Sequence, residues 1–446
     1  MPRSYENDRR PSLTATIRRR FRSVPPLVWM VLIAFLLRLA VIPFDTIENL
    51  MDATHLHCWE QGNVAAALLA GHGFGSPFQS MQPSAIMPPV YPLIVAAFFW
   101  IFGVHTAHSI FAIHAFDCLI NSLACIPLFF LARRSFGERV AWAATWIWVF
   151  VPYGIYFSSA WAWSTHLLLL CLYGLLYLSQ DLEESPRLGP WARFGLLAGF
   201  AGLTEPSSLV LSTFLLLFAA WRLIRTRQRF LAPILTGALV LAATISPWLI
   251  RDAVVFHRFI PMRDSMGLEL WMGNNGYSTR WTSDQLHPLH DPAELADYNR
   301  GELAYMNHKS QEAKLFIHDH PAWYASMCIR RAVYLWTGYW SLHRDYLAME
   351  PTDPENIPFA TILTGLGILG LTLAWRRHHV EAMRFAGVLF LFPIVYYFSH
   401  PEPYHMRPLD PLLIVLGTYA IQTLRAERRE AVALEEQPEL ELAPVA

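Results

Sequence analysis

Apolar runs recur along the whole chain, and stretches 27–37, 208–221 and 358–374 carry no charge at all. A helix rises about 1.5 Å per residue, so runs near 20 residues can cross a hydrocarbon core of about 30 Å. The pattern predicts crossing helices at 27–44, 107–132, 140–157, 163–179, 230–250, 358–375, 384–399 and 408–424. The run 194–221 is broken at Thr204-Glu205-Pro206 and predicts a hairpin of two short half-spans. Backbone broken at membrane depth is tolerated where it lines protein or a water-filled cavity. The run 90–103 follows Pro88-Pro89 and contains Pro92, which predicts a short helix lying in the membrane plane. The fold class is therefore an all-α polytopic membrane protein with about ten crossings, juxtamembrane helices and a small loop domain on the outer face.

Arginine sets the orientation. Basic groups stand at Arg18–Arg22, Arg133–Arg139, Arg222–Arg229, Arg376–Arg384 and Arg425–Arg429. Short basic loops stay in the cytoplasm. With the hairpin turning at Glu205, all five groups fall on one side. Residues 1–25 and 426–446 are then cytoplasmic tails, and 26–250 form an N-terminal transmembrane module whose first outer loop is 45–106. Residues 251–356 form an extracytoplasmic region, and 357–425 the C-terminal helices. Arg18-Arg19-Arg20 ahead of the first run, with no small-residue cleavage site after it, predicts a retained signal anchor.

Composition agrees. Of 446 residues 54% are hydrophobic and 15% charged, well under the quarter usual in soluble domains. The net charge of −1 gives no global field to recruit nucleic acid. The five cysteines are scattered, and only Cys58 and Cys328 lie in polar loops where they could pair. His55, His57, Cys58 and Glu60 are metal-ligand types, but their spacing matches no established site, so no metal and no cofactor is expected.

The orientation gathers four polar regions on the outer side: loop 45–89, the turn at Glu205, the long loop 251–356 and loop 400–407. Loop 45–89 carries Asp45, Asp52 and Glu60 ahead of a short helix-like run ending at Leu69. Carboxylates at a lipid–water boundary are partly desolvated, which suits them to general-base work. Arg38 near the outer end of the first run, and Arg407 with Asp410 at the mouth of the last, are charges at membrane depth that call for a partner or a ligand. A pair of Arg38 with Asp117 or Asp45 is one such arrangement. Residues 302–319 predict a helix with Leu303, Met306, Ala313 and Phe316 on its apolar side, and 330–342 an interfacial segment.

Several segments together resemble the GT-C superfamily of membrane glycosyltransferases, in the branch of protein O-mannosyltransferases and lipid A aminoarabinose transferases. They are Trp59-Glu60-Gln61-Gly62 through Gly71-His72-Gly73-Phe74 and Pro77-Phe78; Pro88-Pro89-Val90-Tyr91-Pro92 through Phe102-Gly103; Ala132 to Gly137; and Arg407-Pro408-Leu409-Asp410-Pro411. The resemblance implies inverting transfer of a sugar from a polyprenyl-phosphate donor to a lipid, glycan or protein acceptor, with a first-loop acid as base. Members often place Asp where this chain has His57 and Cys58, which leaves Glu60, Asp52 and Asp45 as candidates. Many carry an acid in the second outer loop, which here reads Trp161-Ala162-Trp163-Ser164. Only two lysines exist, Lys309 and Lys314, so a lipid-phosphate anchor must be one of them or an arginine such as Arg38 or Arg407. Cations of this kind stabilise a leaving monophosphate without a metal. Trp59, Trp271 and Tyr277 are candidates to pack on sugar faces, and Glu205 and Asp410 to bind substrate. The implied setting is a bacterial inner membrane with the site facing the periplasm. The alternative function is a non-catalytic membrane subunit or a transporter of lipid-linked sugars.

Overall fold

Prolines and capping residues cut the apolar runs into helices. A computed structural model of the chain describes residues 25–44, 51–52, 56–57, 59–78, 80, 82–184, 186–278, 286–339, 342, 344 and 353–435. The tails, Asp45, His55 and Cys58 lie outside the described residues, and Cys328 is a free thiol. Among the described residues every regular element is helical.

Helix α1 (Pro26–Val41) starts with proline in its first turn, where the missing N–H has no helical partner to lose. After it come α2 (Glu60–Leu69), α3 (Val90–Phe102), α4 (Ala107–Leu123) and α5 (Cys125–Phe136). Thr106 and Ser109 close a reciprocal capping box at the start of α4. Next are α6 (Glu138–Phe150) and α7 (Pro152–Ala160), bent by 51° at Val151. Pro152 supplies no N–H and drives the preceding residue out of the helical region. Helices α8 (Thr165–Leu182), α9 (Leu188–Thr204), α10 (Ser207–Arg225) and α11 (Leu231–Phe256) complete the N-terminal half.

Among the described residues six helices, with α4–α5 taken as one, are long and apolar enough to cross a membrane, or seven if the bent α6–α7 pair is one span. The other expected crossings correspond to α1, α9 and the last helix, which are shorter or less apolar. Helix α3 is 13 residues, about 20 Å, too short to cross.

The expected half-spans are corrected. Helices α9 and α10 have 17 and 19 residues, about 26 and 28 Å, so each is near full length. Arg222 and Arg225 form the last turn of α10 rather than a loop beyond it. Cations there meet the negative end of the helix dipole, so the basic cluster prolongs the helix. The turn itself falls at Glu205-Pro206, as the sequence predicts.

The region after α11 holds α12 (Met266–Gly273), α13 (Pro292–Tyr298), α14 (Glu302–Asp319) and α15 (Pro321–Thr337). The expected helix at 302–319 is present, and the segment foreseen at 330–342 starts earlier, at Pro321. Helices α12 and α14 meet backbone to backbone, because a Cβ on Gly267 would fall 2.0 Å from the Met306 carbonyl oxygen. Their shared core (Leu268, Trp271, Met272, Met306) continues into the first loop through Val64, Phe78 and Ile86, so the region from α12 to α15, here the cap, is docked on that loop.

The chain ends with α16 (Asp353–Arg377), α17 (His379–Leu391), α18 (Ile394–Phe398), a 3-10 turn Pro403–Leu409, and α19 (Asp410–Glu435). At the end of the bundle away from the α9–α10 turn, the basic groups are tied together. Arg134 pairs with Asp181 at 2.6 Å, and Arg222 with Glu183 at 3.5 Å. Arg384 also pairs with Glu183, Arg377 with Glu427, and Gln422 donates to the Arg139 carbonyl at 3.1 Å. Basic groups from three separate stretches therefore share one end with Glu427 and Gln422 of the last helix, as the topology argument expects.

Candidate active site

At the opposite end the four polar regions line one cavity of about 760 Å³. The first loop contributes Glu60, Gln61 and Phe78, and the α9–α10 turn contributes Glu205 and Ser207. The cap supplies Arg263, Glu269 and His287, and the segment before α19 supplies His400, Tyr404 and His405.

Glu60 is the first residue of α2. Its neighbours fix the helix start. The Trp59 indole N–H donates to the Ala162 carbonyl at 3.0 Å, and the Gln61 amide to Ser164 Oγ at 3.3 Å. Gly62 lets the Trp59 ring lie against the helix, since a Cβ there would stand 2.3 Å from it. The loop before α2 and the loop 161–164 are thus stitched together on both sides of Glu60. The second loop, which carries no acid, brings aromatic surface. Trp161 and Trp163 lie 5.8 and 6.3 Å from Tyr404, and all three line the cavity.

Arg263 stands in the facing wall. The turn that carries it is held at Met262, whose backbone is left-handed at φ 79°. A non-glycine residue keeps such a conformation only where its surroundings impose it. Here the Trp248 indole N–H donates to the Met262 carbonyl at 2.9 Å, and the Asp264 N–H to the Ala85 carbonyl at 3.0 Å. The guanidinium then lies 3.0 Å from Glu269 and 3.6 Å from Glu205. His400 Nδ1 lies 2.7 Å from the other oxygen of Glu269. Burial pushes the Glu205 carboxyl up, partly opposed by Arg263. Burial would raise Glu269 too, but His400 and Arg263 outweigh it and hold that carboxyl well below the usual range. His405 stacks on Tyr396 at 4.1 Å and accepts the Glu402 N–H on Nδ1. Burial, then the neighbouring His400, bring His405 down to about 3, so it is neutral.

The Glu269 network has a pH signature. Glu269→Gln removes the nearer partner of Arg263 and the partner of His400, with an expected loss of roughly 1–3 kcal/mol. A carboxyl held low in the folded state contributes its stability above the unfolded value near 4.3 and loses it as pH falls further. The gap between wild type and E269Q in detergent unfolding should shrink as pH falls below about 4. Arg263, His400, His405 and Glu205 face this carboxylate. A gap that persists unchanged to pH 3 would count against the network.

The other sequence candidates stand elsewhere. Asp52 is exposed ahead of α2. Trp59 is a buried anchor, set edge-on to Phe99 at 5.8 Å. Arg38 is fully buried. It donates to Asn121 Oδ1 at 3.0 Å and to the carbonyls of Ala34, Trp148 and Val149 at 3.2–3.4 Å. Asp117 instead accepts from the Tyr91 hydroxyl at 2.5 Å. Arg407 pairs with Asp410 at 3.3 Å and lies over the Tyr153 ring, beside the cavity-lining Pro408. Lys309 is buried in the cap, 2.8 Å from Glu294, with its ammonium 3.8 Å above the Trp271 ring. Tyr277 is exposed. Among the described residues no group of three His, Cys, Asp or Glu side chains converges as metal ligands would.

Arg263, Glu269, His287, His400 and His405 are cavity residues that sequence reasoning did not single out. The orientation argument places their loops on the outer side, and the two histidines of 400–405 are the available signal.

Residues 86–250 match the family model described as dolichyl-phosphate-mannose-protein mannosyltransferase. No curated protein matches the chain by sequence. Among solved structures, the Archaeoglobus fulgidus oligosaccharyltransferase complex with zinc and sulfate aligns at a TM-score of 0.52 with 11% identity, over 91% of this chain and 50% of that one. Its apo form aligns at 0.53 with 11% identity, over 92% and 52%. This chain thus spans about half the length of that relative, and the likeness is one of fold. ArnT from Cupriavidus metallidurans bound to undecaprenyl phosphate aligns at 0.38 with 14% identity, over 93% and 81%.

Proposed function

Taking its GT-C membrane-glycosyltransferase fold as the premise, we propose that this chain transfers a sugar from a polyprenyl-phosphate donor to a hydroxyl acceptor inside the cavity, on the outer face of the membrane. The observation that carries the reading is the convergence of four distant chain segments on one cavity that holds a carboxylate, an arginine and an aromatic wall. Sugar sites combine flat aromatic surface with a few placed polar groups. Trp161, Trp163 and Tyr404 supply the first.

In the proposed step the acceptor oxygen attacks the anomeric carbon, and Glu60 takes its proton. The bond from that carbon to the phosphate oxygen breaks with inversion, and the polyprenyl phosphate leaves carrying the electron pair. The transition state is oxocarbenium-like, as in glycoside chemistry generally. Arg263 is the cavity cation positioned to meet the developing phosphate charge, in exchange for one of its carboxylates. Burial pushes the Glu205 carboxyl up, which eases its taking a proton as the phosphate charge develops nearby. The apolar flank formed by Val210, Phe392 and Val395 is where the lipid end of such a donor would lie.

Membranes containing the protein, supplied with labelled polyprenyl-phosphate sugars, should move label into a lipid, glycan or protein fraction. Control membranes without the protein should not. Binding of the donor without turnover would favour a non-catalytic subunit. Appearance of intact labelled donor on the other side of the membrane would favour a transporter.

A further inference from the structure

His287 is brought to Glu60 by the cap, from more than 200 residues along the chain. Its Nε2 lies 3.3 Å from Glu60 Oε1, and both side chains are largely buried in the cavity wall. The distance lies just beyond the usual hydrogen-bond range, as catalytic contacts often do before substrate binds and tightens them. The other ring nitrogen decides the tautomer. Nδ1 accepts the backbone N–H of Leu289 at 3.2 Å. An accepting Nδ1 leaves the proton of a neutral imidazole on Nε2, the atom facing Glu60.

The ring is also fixed in place. Phe78 meets it edge-on at 4.9 Å. The N–H groups of His290 and Asp291 both donate to the His287 carbonyl, at 2.8 and 2.9 Å. Asp291 then caps α13 through the Ala293 N–H at 2.8 Å. Carboxylates are oriented for proton transfer by a donor on one oxygen, which turns the other to the substrate.

We infer that His287 is a positioning residue for Glu60: its Nε2–H holds Oε1, presents the second carboxylate oxygen to the acceptor hydroxyl, and makes a docked cap a condition of a competent base. This rests on the reading of Glu60 as the base. The other groups that face Glu60 are Arg263 from the α11–α12 turn and Tyr404 from the segment before α19, while His290 lines the cavity 6.1 Å from the His287 ring.

The test separates the pair from the reaction. In lipid nanodiscs without donor, the Glu60 carboxylate is titrated by infrared difference against E60Q. The carboxylate form loses a donor in His287→Leu, so its midpoint should move to higher pH. His287→Gln places an amide N–H where Nε2 stood and should leave the midpoint near wild type. With donor and acceptor present, H287L should lose about tenfold in kcat, the value of a charge-assisted hydrogen bond, with little change in KM. The acid limb of its pH profile should move the same way, and H287Q should recover most of the rate. An unmoved midpoint in H287L, or equal displacement in H287L and H287Q, would overturn the inference alone. Full transfer by E60Q would overturn the reading of Glu60 as base, and the inference with it.

Discussion

Glu60→Gln should lower sugar transfer by roughly 10²–10⁴-fold, the contribution of a general base. The amide keeps the size and most contacts of the carboxylate, so thermal unfolding in detergent should match wild type. The loss should fall on kcat and kcat/KM alike, because deprotonation of the acceptor occurs only in the transition state. The expectation follows from where Glu60 sits. It opens α2, its flanking Trp59 and Gln61 are anchored on the second loop, and its carboxylate faces Arg263 across one cavity. Undiminished transfer at normal protein level removes Glu60 from the mechanism, and Asp52 and Asp45 then become the acids to test.

Arg38→Met should be the most destabilising single change, by about 3–5 kcal/mol, seen as loss of folded protein and a lowered unfolding midpoint. Pro152 has no N–H to give the Trp148 carbonyl, and the bend leaves the Val149 carbonyl open as well. Arg38 takes both, at 3.2 and 3.4 Å. Its Nε–H donates to Asn121, whose amide lies 3.4 Å from His166 Nδ1, and His166 Nε2 lies 2.8 Å from the Trp161 carbonyl. The chain of contacts ends on the loop that forms the aromatic wall. Methionine fills the space but leaves two carbonyls and an asparagine without donors. Lysine keeps the charge but cannot reach three directions at once, and should recover only part of the loss. A wild-type unfolding midpoint in R38M would contradict this role.

The charge pattern made the layout legible. Arginine groups in separate loops, sorted by parity, put the polar stretches on one side, and those stretches meet in one cavity. The break at Glu205-Pro206 could be read from a proline after an isolated acid in an apolar run. Helix length there could not, because arginines at a helix end look the same in sequence as arginines in a loop. Arg38 shows a different limit. A buried arginine invites a carboxylate partner, and the sequence offered Asp117 and Asp45. The structure satisfies it with carbonyls freed by a proline more than 100 residues away, which no local pattern reveals. The ion network of Arg263 was hidden for the same reason. Its partners come from the α9–α10 turn and from α12, and His400 joins from beyond α18. Lys309 is a reminder that a rare lysine need not be a ligand-binding one. The cap uses it to neutralise Glu294 and Glu312 beneath Trp271.

The most direct test of the account is photo-crosslinking with a polyprenyl-phosphate sugar that carries its reactive group on the sugar ring. The account predicts labelled peptides that include Glu60, Arg263 or Tyr404, and protection of all of them by unmodified donor. Labelling confined to the lipid-facing surfaces of α11 and α16, or cavity labelling that the donor does not compete away, would contradict it.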